Sequence, residues 1–481
     1  MDKRKYNLKK GCTIFLAIYL LCAFFFLYIA RYQINYTRDE EVTIADVGGV
    51  NAGVLTDGSV IRQTVNIDHQ YMNGIKAYFS TYAKKNNGTV TVSVEDKQSG
   101  VVLIEKLIDL DTLNDNAWAT IKFDKMLDVH DWVGKQLDVK FEFAMDDEES
   151  MVTMGIGNLL SEENLVEING EKSEGNLCLT LLQTNDSTHR LLYPIALLIL
   201  FVILLIVCVW LIWSDKHDKQ NIGLKFLYVF RKYKFLMQQL VSRDFKTKYK
   251  RSVLGVFWSF LNPLLTMSVQ YIVFSRIFRF QVENYPVFLL TGVVFYNGFS
   301  DATTQAMNAI VGNASLITKV YVPKYIYPIS KVLSSSINIL LSLIPLMIVA
   351  LITGIRPSLA LLLLFFGIAC YILFIIGISF ILSAAMTFFR DMQFLWGVLT
   401  MMWMYATPVI YPIETLEGTF LLGFQKINPM YHYITFFRTI IISGTSPEPM
   451  EYVLCIGFAA IALLVGGLIF KKTQDQFVLH I

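Results

Sequence analysis

No charged residue interrupts Gly11 to Ala30, and none interrupts Leu191 to Trp213. A helix needs about 20 predominantly apolar residues to cross the hydrocarbon core of a bilayer, and both runs reach that length. The first follows the basic stretch MDKRKYNLKK. It is longer than a signal-peptide core and no A-x-A cleavage site follows it, so it reads as an uncleaved anchor with its N-terminus in the cytoplasm. Six further apolar stretches follow, at about 252–275, 285–310, 331–353, 359–386, 392–411 and 451–470. The expectation is therefore eight spans with both termini cytoplasmic. Lys319, Lys324 and Lys331, the Phe389-Arg390-Asp391 turn, and Lys471 with Lys472 fall inside. Arg276, Arg279 and Arg356 fall outside and weaken the pattern without reversing it. The segment 412–450 is too polar and Pro-rich for a regular span. It reads as short re-entrant helices on the outer side, tolerated only against protein or a cavity.

Charge divides the remainder. Residues 32–188 carry roughly twice as many acidic as basic residues, whereas 214–251 is strongly basic. The acidic part alternates with period two at Thr89–Val94 and Val139–Phe143, and less cleanly at Ile61–Ile67 and Ile75–Tyr82. Asn87-Gly88 and Ser99-Gly100 punctuate these runs, so an all-β sandwich of jelly-roll type is expected. Residues 144–188 read as a stalk or as further strands. In the basic part, Leu236, Leu240 and Phe245 interleave with Arg231, Lys234, Arg243 and Lys246, the pattern of an amphipathic helix lying in the membrane interface. The expected organisation is 1–31, cytoplasmic N-terminus and anchor; 32–188, extracytoplasmic β domain; 189–213, second transmembrane helix; 214–251, basic linker and interfacial helix; and 252–481, six-span domain.

The usual catalytic signatures do not occur. The chain lacks GxxxxGK[ST], GxSxG, HExxH and any CxxC, and its six His are scattered. Only Cys178 of the six Cys falls in the 32–188 insert, which therefore forms no internal disulfide. Arg38-Asp39-Glu40-Glu41 is either a solvated acidic flank or the catalytic acids of a membrane glycosyltransferase, with Asp39, Glu40 or Glu41 in that role. Asp109, Asp111, Asn114, Asp115 and Asn116 form either a calcium loop, whose spacing does not fit an EF-hand, or a turn with side-chain caps. Tyr78, Tyr82, Trp118 and Trp132 are candidate sugar-stacking residues of the insert, Trp118 and Trp132 having core packing as the alternative. Among the aromatics of the spans, Trp258, Tyr271, Phe274, Phe295, Tyr296, Trp403 and Tyr405 are candidates for a path along which a polymer makes weak, repeated contacts, or are packing and interface-belt residues. The basic residues Arg243, Lys246, Lys248, Lys250 and Arg251 suit lipid headgroups.

Several motifs then stand in order. They are Arg243-Asp244-x-Lys246-x-x-Tyr249-Lys250-Arg251-Ser252-x-Leu254-Gly255-x-x-Trp258-x-x-x-x-Pro263, Asn313-x-x-Leu316-Ile317-x-Lys319-Val320-Tyr321-x-Pro323, Phe389-Arg390-Asp391, Thr407-Pro408-Val409-x-Tyr411-Pro412 and Asn428-Pro429-Met430. On these, residues from about 231 to 481 resemble the permease subunit of type-2 ABC exporters for lipid-linked polysaccharides, as in O-antigen and teichoic-acid export. The resemblance implies a homodimer in a bacterial cell membrane, binding a separate ABC ATPase that carries the ATP and Mg; this chain itself has no cofactor, catalytic residue, metal or nucleic-acid partner. It implies a coupling helix over Ala314–Val322, with Asn313, Leu316, Ile317, Lys319, Val320, Tyr321 and Pro323 against the ATPase, and an outer gate at Pro408, Tyr411 and Pro412. It also implies that the basic interfacial residues attract the pyrophosphate of a lipid carrier. The two extra spans and the β insert depart from the usual six-span permease, and their role is open: a glycan-binding domain or a docking platform for a cell-wall enzyme. An exporter of another amphiphile is the nearest rival function.

Overall fold

The computed structural model describes residues 8–37, 40–47, 50–84, 86–147, 150–157, 166–173, 175–187, 190–217, 222–250, 253–277, 284–320, 322–416 and 418–480, without the side chains of 222–227, 230, 249 and 275–277. The chain forms two compact units, Met1–Arg31 with Pro194–Ile481, and Tyr32–Tyr193.

The second unit is all β. Its strands are β1 Glu40–Thr43, β2 Val50–Asn51, β3 Val60–Asn66, β4 Tyr71–Ser80, β5 Gly88–Asp96, β6 Val102–Asp109, β7 Ala117–Asp128, β8 Gln136–Met145, β9 Thr153–Gly157, β10 Val166–Ile168, β11 Glu171–Ser173, β12 Asn176–Leu177 and β13 Leu179–Thr184. One sheet runs β1-β13-β4-β9-β12, with β2 on β9 and β7 on β4; the other runs β11-β10-β3-β8-β5-β6. Ile75, Phe79, Ile121, Leu179 and Leu181 of the first sheet and Val65, Val92, Val139 and Phe141 of the second share one buried core. That is the two-sheet sandwich expected from the alternating strands. The stretch after 144 supplies further strands, one of them central: β13 lies between β1 and β4. All six residues of β13 and all five of β9 are buried, so neither alternates and neither stands out as a half-exposed strand. The unit's cysteine, Cys178, is buried and forms no disulfide, its Sγ donating to the Asp46 carbonyl at 3.3 Å.

The first unit is helical. In chain order the helices are α1 Leu8–Ile29, α2 Arg31–Asn35 (in the second unit but for Arg31), α3 Leu192–Lys216, α4 Ile222–Tyr249, α5 Trp258–Tyr271, α6 Tyr285–Met307, α7 Ala314–Ile317, α8 Ile326–Ile352, α9 Leu364–Phe388, α10 Met392–Ala406, α11 Phe420–Gln425, α12 Pro429–Arg438, α13 Pro449–Thr473 and α14 Phe477–His480. Among the described residues, six helical stretches are long and apolar enough to cross a membrane: α1, α3, Gly255–Phe274, α8, Leu359–Phe388 and Pro449–His480. The other two expected spans coincide with α6, which carries a polar end at Ser300–Gln305, and α10, which at 15 residues is shorter than a straight crossing requires. The Pro-rich segment folds into the short helices α11 and α12, the latter closed by a π turn over Thr439–Ser443. Helices α1 and α3 expose nearly all their apolar residues. They meet each other where Tyr19 Oη donates to the Leu197 carbonyl at 2.7 Å, and α1 touches the rest of the unit where Phe26 packs edge-on against Tyr452.

In lipid there is little hydrophobic gain from helix association, so close backbone packing has to supply the contact. α9 and α13 do this through glycine. A methyl at Gly466 would sit 2.1 Å from the Gly377 carbonyl oxygen, and one at Gly377 would sit 2.3 Å from the Ala462 carbonyl carbon. Backbone atoms cannot step aside as a side-chain tip can. Gly466→Leu is therefore expected to separate the two helices and remove most of the monodisperse protein from a size-exclusion profile in detergent. A profile like that of the wild type would refute this account of the crossing.

Candidate functional site: the joint between the basic helix and the 311–324 segment

α4 carries the expected amphipathic pattern. Tyr233, Leu236, Met237 and Leu240 line its inner face, while Arg231, Lys234, Lys246 and Lys250 are exposed. One turn beyond Leu240, the same stripe reaches Asp244, whose side chain is only 8% exposed. A carboxylate placed there needs compensation. Lys331 at the start of α8 approaches it at 3.0 Å and Arg243 at 3.1 Å. Arg243 Nη2 also donates to Asn313 Oδ1 at 3.2 Å, and the buried Asn313 amide donates to the Ala309 carbonyl at 2.8 Å. One turn later Lys248 pairs with Asp301 on α6 at 2.9 Å. Arg243, Asp244, Asn313 and Lys331 border a polar cavity of about 470 Å3, together with Thr304 and Asn308. Three pieces of backbone thus converge on one carboxylate: the end of α4, the turn after α6 and the first turns of α8.

The segment that follows Asn313 is short. The expected helix over Ala314–Val322 is one α-helical turn, α7, preceded by a 3-10 turn at Val311–Asn313. Beyond Ile317 the regular ladder stops, Val320 N still reaching back to the Leu316 carbonyl at 3.0 Å. Ile317 packs inward, whereas Leu316 (39% exposed), Lys319 and Val320 (53%) face outward. Pro323 is half-buried and Tyr321 lies outside the described residues. The far end is also tied down: Lys324 Nζ donates to the Gln474 carbonyl at 2.5 Å and lies over the Phe477 ring. An apolar tip is held out between two fixed ends.

The basic residues expected at lipid headgroups divide. Arg243 and Lys248 are exposed but paired within the chain, with Asp244 and Asp301; Lys246 and Lys250 are exposed, and Arg251 lies outside the described residues. The aromatic candidates divide in the same way. Phe295 (0% exposed) and Tyr296 (2%) are core residues and present no face to a path: Phe295 stacks on Phe437 at 3.7 Å and Tyr296 Oη donates to the Thr400 carbonyl. Trp403 is half-buried, its indole NH bound to Asn428 Oδ1 at 2.8 Å, and Phe274 packs against the core. Trp258, Tyr271 and Tyr405 remain exposed.

The Pro408–Pro412 turn is held from behind. Arg438 at the end of α12 donates to the Pro408 and Val409 carbonyls at 2.7 Å each and twice to the Phe288 carbonyl at 3.2–3.3 Å, with its guanidinium 3.4 Å above the Phe288 ring. Tyr411 Oη closes the turn onto the Tyr405 carbonyl at 2.6 Å. Asn428, fully buried, donates to Thr407 and Gln425 and accepts from Trp403 and the Met430 amide. Arg438 was not legible as a site from composition, because a lone Arg after an aromatic run looks like an ordinary helix end. Among the described histidines, His432 is the buried one, and it lies 3.0 Å from Glu451.

In the β unit, Glu40 pairs with His69 at 2.9 Å and Glu41 with Lys76 at 2.5 Å, so these carboxylates serve the sheet; Arg38 and Asp39 lie outside the described residues. The acidic turn is the capped kind. Desolvation pushes the Asp115 carboxyl up, but hydrogen bonds from the Thr81 amide and the Ser80 hydroxyl outweigh it and hold the group below the usual carboxylate range. Among the described residues no cluster of three or more His, Cys, Asp or Glu could hold a metal. Trp132 packs against the core rather than presenting a stacking face, while Trp118 and Tyr82 are exposed and Tyr78 is half-buried.

Comparison with known proteins bears on the helical unit. Residues 236–442 match the ABC-2 type transporter family. An O-antigen export system permease protein of Klebsiella pneumoniae is 30% identical over 247 residues, covering 50% of this chain and 93% of that protein. One of Myxococcus xanthus is 28% identical over 246 residues, 51% and 95% of the respective chains. A polysialic acid transport protein of Escherichia coli is 21% identical over 251 residues, 51% and 96%. The family match leaves the β unit and the helices α1 and α3 outside it. A multi-pass helical protein whose family match contains the α4 joint, the projecting α7 turn and the Arg438-held turn has one placement: this chain belongs to the ABC-2 type transporter family, as a non-catalytic membrane permease subunit.

Proposed function

We propose that this chain exports a lipid-linked cell-surface polysaccharide, as a homodimer driven by a separate ABC ATPase that carries ATP and Mg. The named relatives act in O-antigen export and polysialic acid transport, which supports the substrate class. The observation that carries the reading is the α7 tip: an apolar, outward-facing turn braced at Asn313 and Lys324 is a docking element whose displacement reaches α4 and α8 as one piece. Residues Asn313–Pro323 contact the ATPase, Lys246 and Lys250 meet anionic headgroups or the carrier pyrophosphate, and Pro408–Pro412 forms the exit on the opposite side. Exposed Trp258, Tyr271 and Tyr405 line the polymer path. Both termini and the α7 tip are cytoplasmic, and the β unit is extracytoplasmic.

Co-purification with the ATPase encoded beside the gene tests this. Leu316→Asp with Val320→Asp is expected to lower complex recovery at least about tenfold, because each places a charge at the centre of an apolar contact. It should leave the fold intact, since both side chains point away from the core. A complex recovered at wild-type yield, with polysaccharide-stimulated ATP hydrolysis unchanged, would sink the coupling role.

A further inference from the structure

Among the described residues no backbone ladder joins the two sheets of the β unit along β6 and β7. β6 is the edge of one sheet and β7 pairs only with β4 in the other. The two edges run beside one another and leave a groove of about 550 Å3 bordered by Leu107, Asp109, Asn114, Trp118, Thr120 and Lys122. One end is crossed by the ion pair between Lys106 of β6 and Asp124 of β7.

Trp118 is the distinctive lining residue. An exposed indole on a strand is ordinarily free to turn. This one is 38% exposed, yet it is set by the Tyr78 ring directly across the strand pair, at 5.8 Å and 73°. Tyr78 is set in turn by lying over Gly155, where a methyl would come within 3.0 Å of its ring. A flat apolar face held in place pays little entropy when a ring stacks on it. Around it, the Asp109 carboxylate, the Asn114 amide, the Thr120 hydroxyl and the Trp118 indole NH have no hydrogen-bond partner among the described residues. A fixed aromatic face ringed by unengaged short donors and acceptors matches the chemistry of a pyranose, which has one apolar face and a rim of hydroxyls. It does not match an added β-strand, because the Lys106–Asp124 bridge crosses between the two edges that such a strand would have to fill.

We infer that the β6–β7 groove binds a saccharide segment of the transported polymer, with Trp118 as the stacking platform. This rests on the polysaccharide reading above. It assigns the insert a role in holding the glycan, with Trp132 excluded from it.

Titration of the purified full-length chain with delipidated surface polysaccharide from the cell that encodes it provides the test. Saturable binding is expected for the wild type. Trp118→Ala should weaken it about tenfold or more, and Trp118→Phe should keep most of it. Leu107→Arg, on the opposite and well-exposed rim, should block the groove without disturbing the core, and it decides the matter if Trp118→Ala fails to fold. Wild-type affinity in both Trp118→Ala and Leu107→Arg would overturn the groove assignment and leave the export reading standing. No binding by the wild-type chain would also overturn it. ATP-driven transport into vesicles containing the permease and its ATPase then reads the export function separately.

Discussion

Asp244→Ala is expected to abolish ATP-driven export, with loss of ~2–3 kcal/mol of stability in the helical unit. Removing one partner of a buried ion pair typically costs ~3–5 kcal/mol, because the remaining charge stays desolvated. The lower figure applies here because Lys331 and Arg243 keep partial access to solvent, at 23% and 47% side-chain exposure. The effect on export exceeds the effect on stability, because Arg243 loses the carboxylate that orients it toward Asn313 and the α7 turn loses its brace. A double replacement separates the two. Asp244→Asn with Lys331→Met removes both charges and should recover stability to within about 1 kcal/mol while export stays low. Thermal unfolding in detergent and uptake into inverted vesicles are the two measurements. Export by Asp244→Ala at wild-type rate would refute the joint.

Arg438→Ala is expected to be the most destabilising single change in the helical unit, by ~3–5 kcal/mol. It strands the carbonyls of Pro408 and Val409, takes the second donor from the Phe288 carbonyl, and removes the guanidinium from the Phe288 face. Arg438→Lys should recover only part of this, since one ammonium cannot serve three carbonyls in the directions that the planar fork does. Gly292→Ala should mimic a mild form of the loss: its methyl would lie 2.8 Å from Arg438 Nη2 and 2.7 Å from the Val409 carbonyl. Yield and melting temperature of the three variants should rank Gly292→Ala, then Arg438→Lys, then Arg438→Ala. An Arg438→Ala protein melting with the wild type would exclude the clamp.

Much of this could be read from residue patterns, because the patterns report burial. Uncharged runs located the long helices, and period-two alternation located β3, β4, β5 and β8, whose two faces differ. β9 and β13 escaped because both faces are covered, leaving nothing to alternate. The segments that the structure ties together were legible in outline, whatever their role: the basic helix, the Asn313–Pro323 segment and the Pro408–Pro412 turn are marked by residue types that special backbone or charge demands. Their working parts were not. Asp244 shows only as a carboxylate out of place on an apolar stripe, and its partner Lys331 is distant in the chain. The pairing of Lys248 with Asp301, 53 residues on, is likewise invisible in the chain order. Phe295 and Tyr296 looked like lining residues because an aromatic on a membrane helix carries no sign of which way it faces.

The glycine crossing of α9 and α13 has a mechanical consequence. Packed helices slide past one another across a layer of side chains, which re-pack as they go. Between Gly377 and Gly466 that layer is missing, and main chain meets main chain. Helices in such contact shift together. α9 and α13 therefore behave as a single post, to which Lys324 anchors the far end of the 311–324 segment at Gln474; under the coupling role proposed for the α7 turn, an opening is taken up by α4, α6 and α8, which meet at the Lys248–Asp301 and Lys331–Asp244 ion pairs.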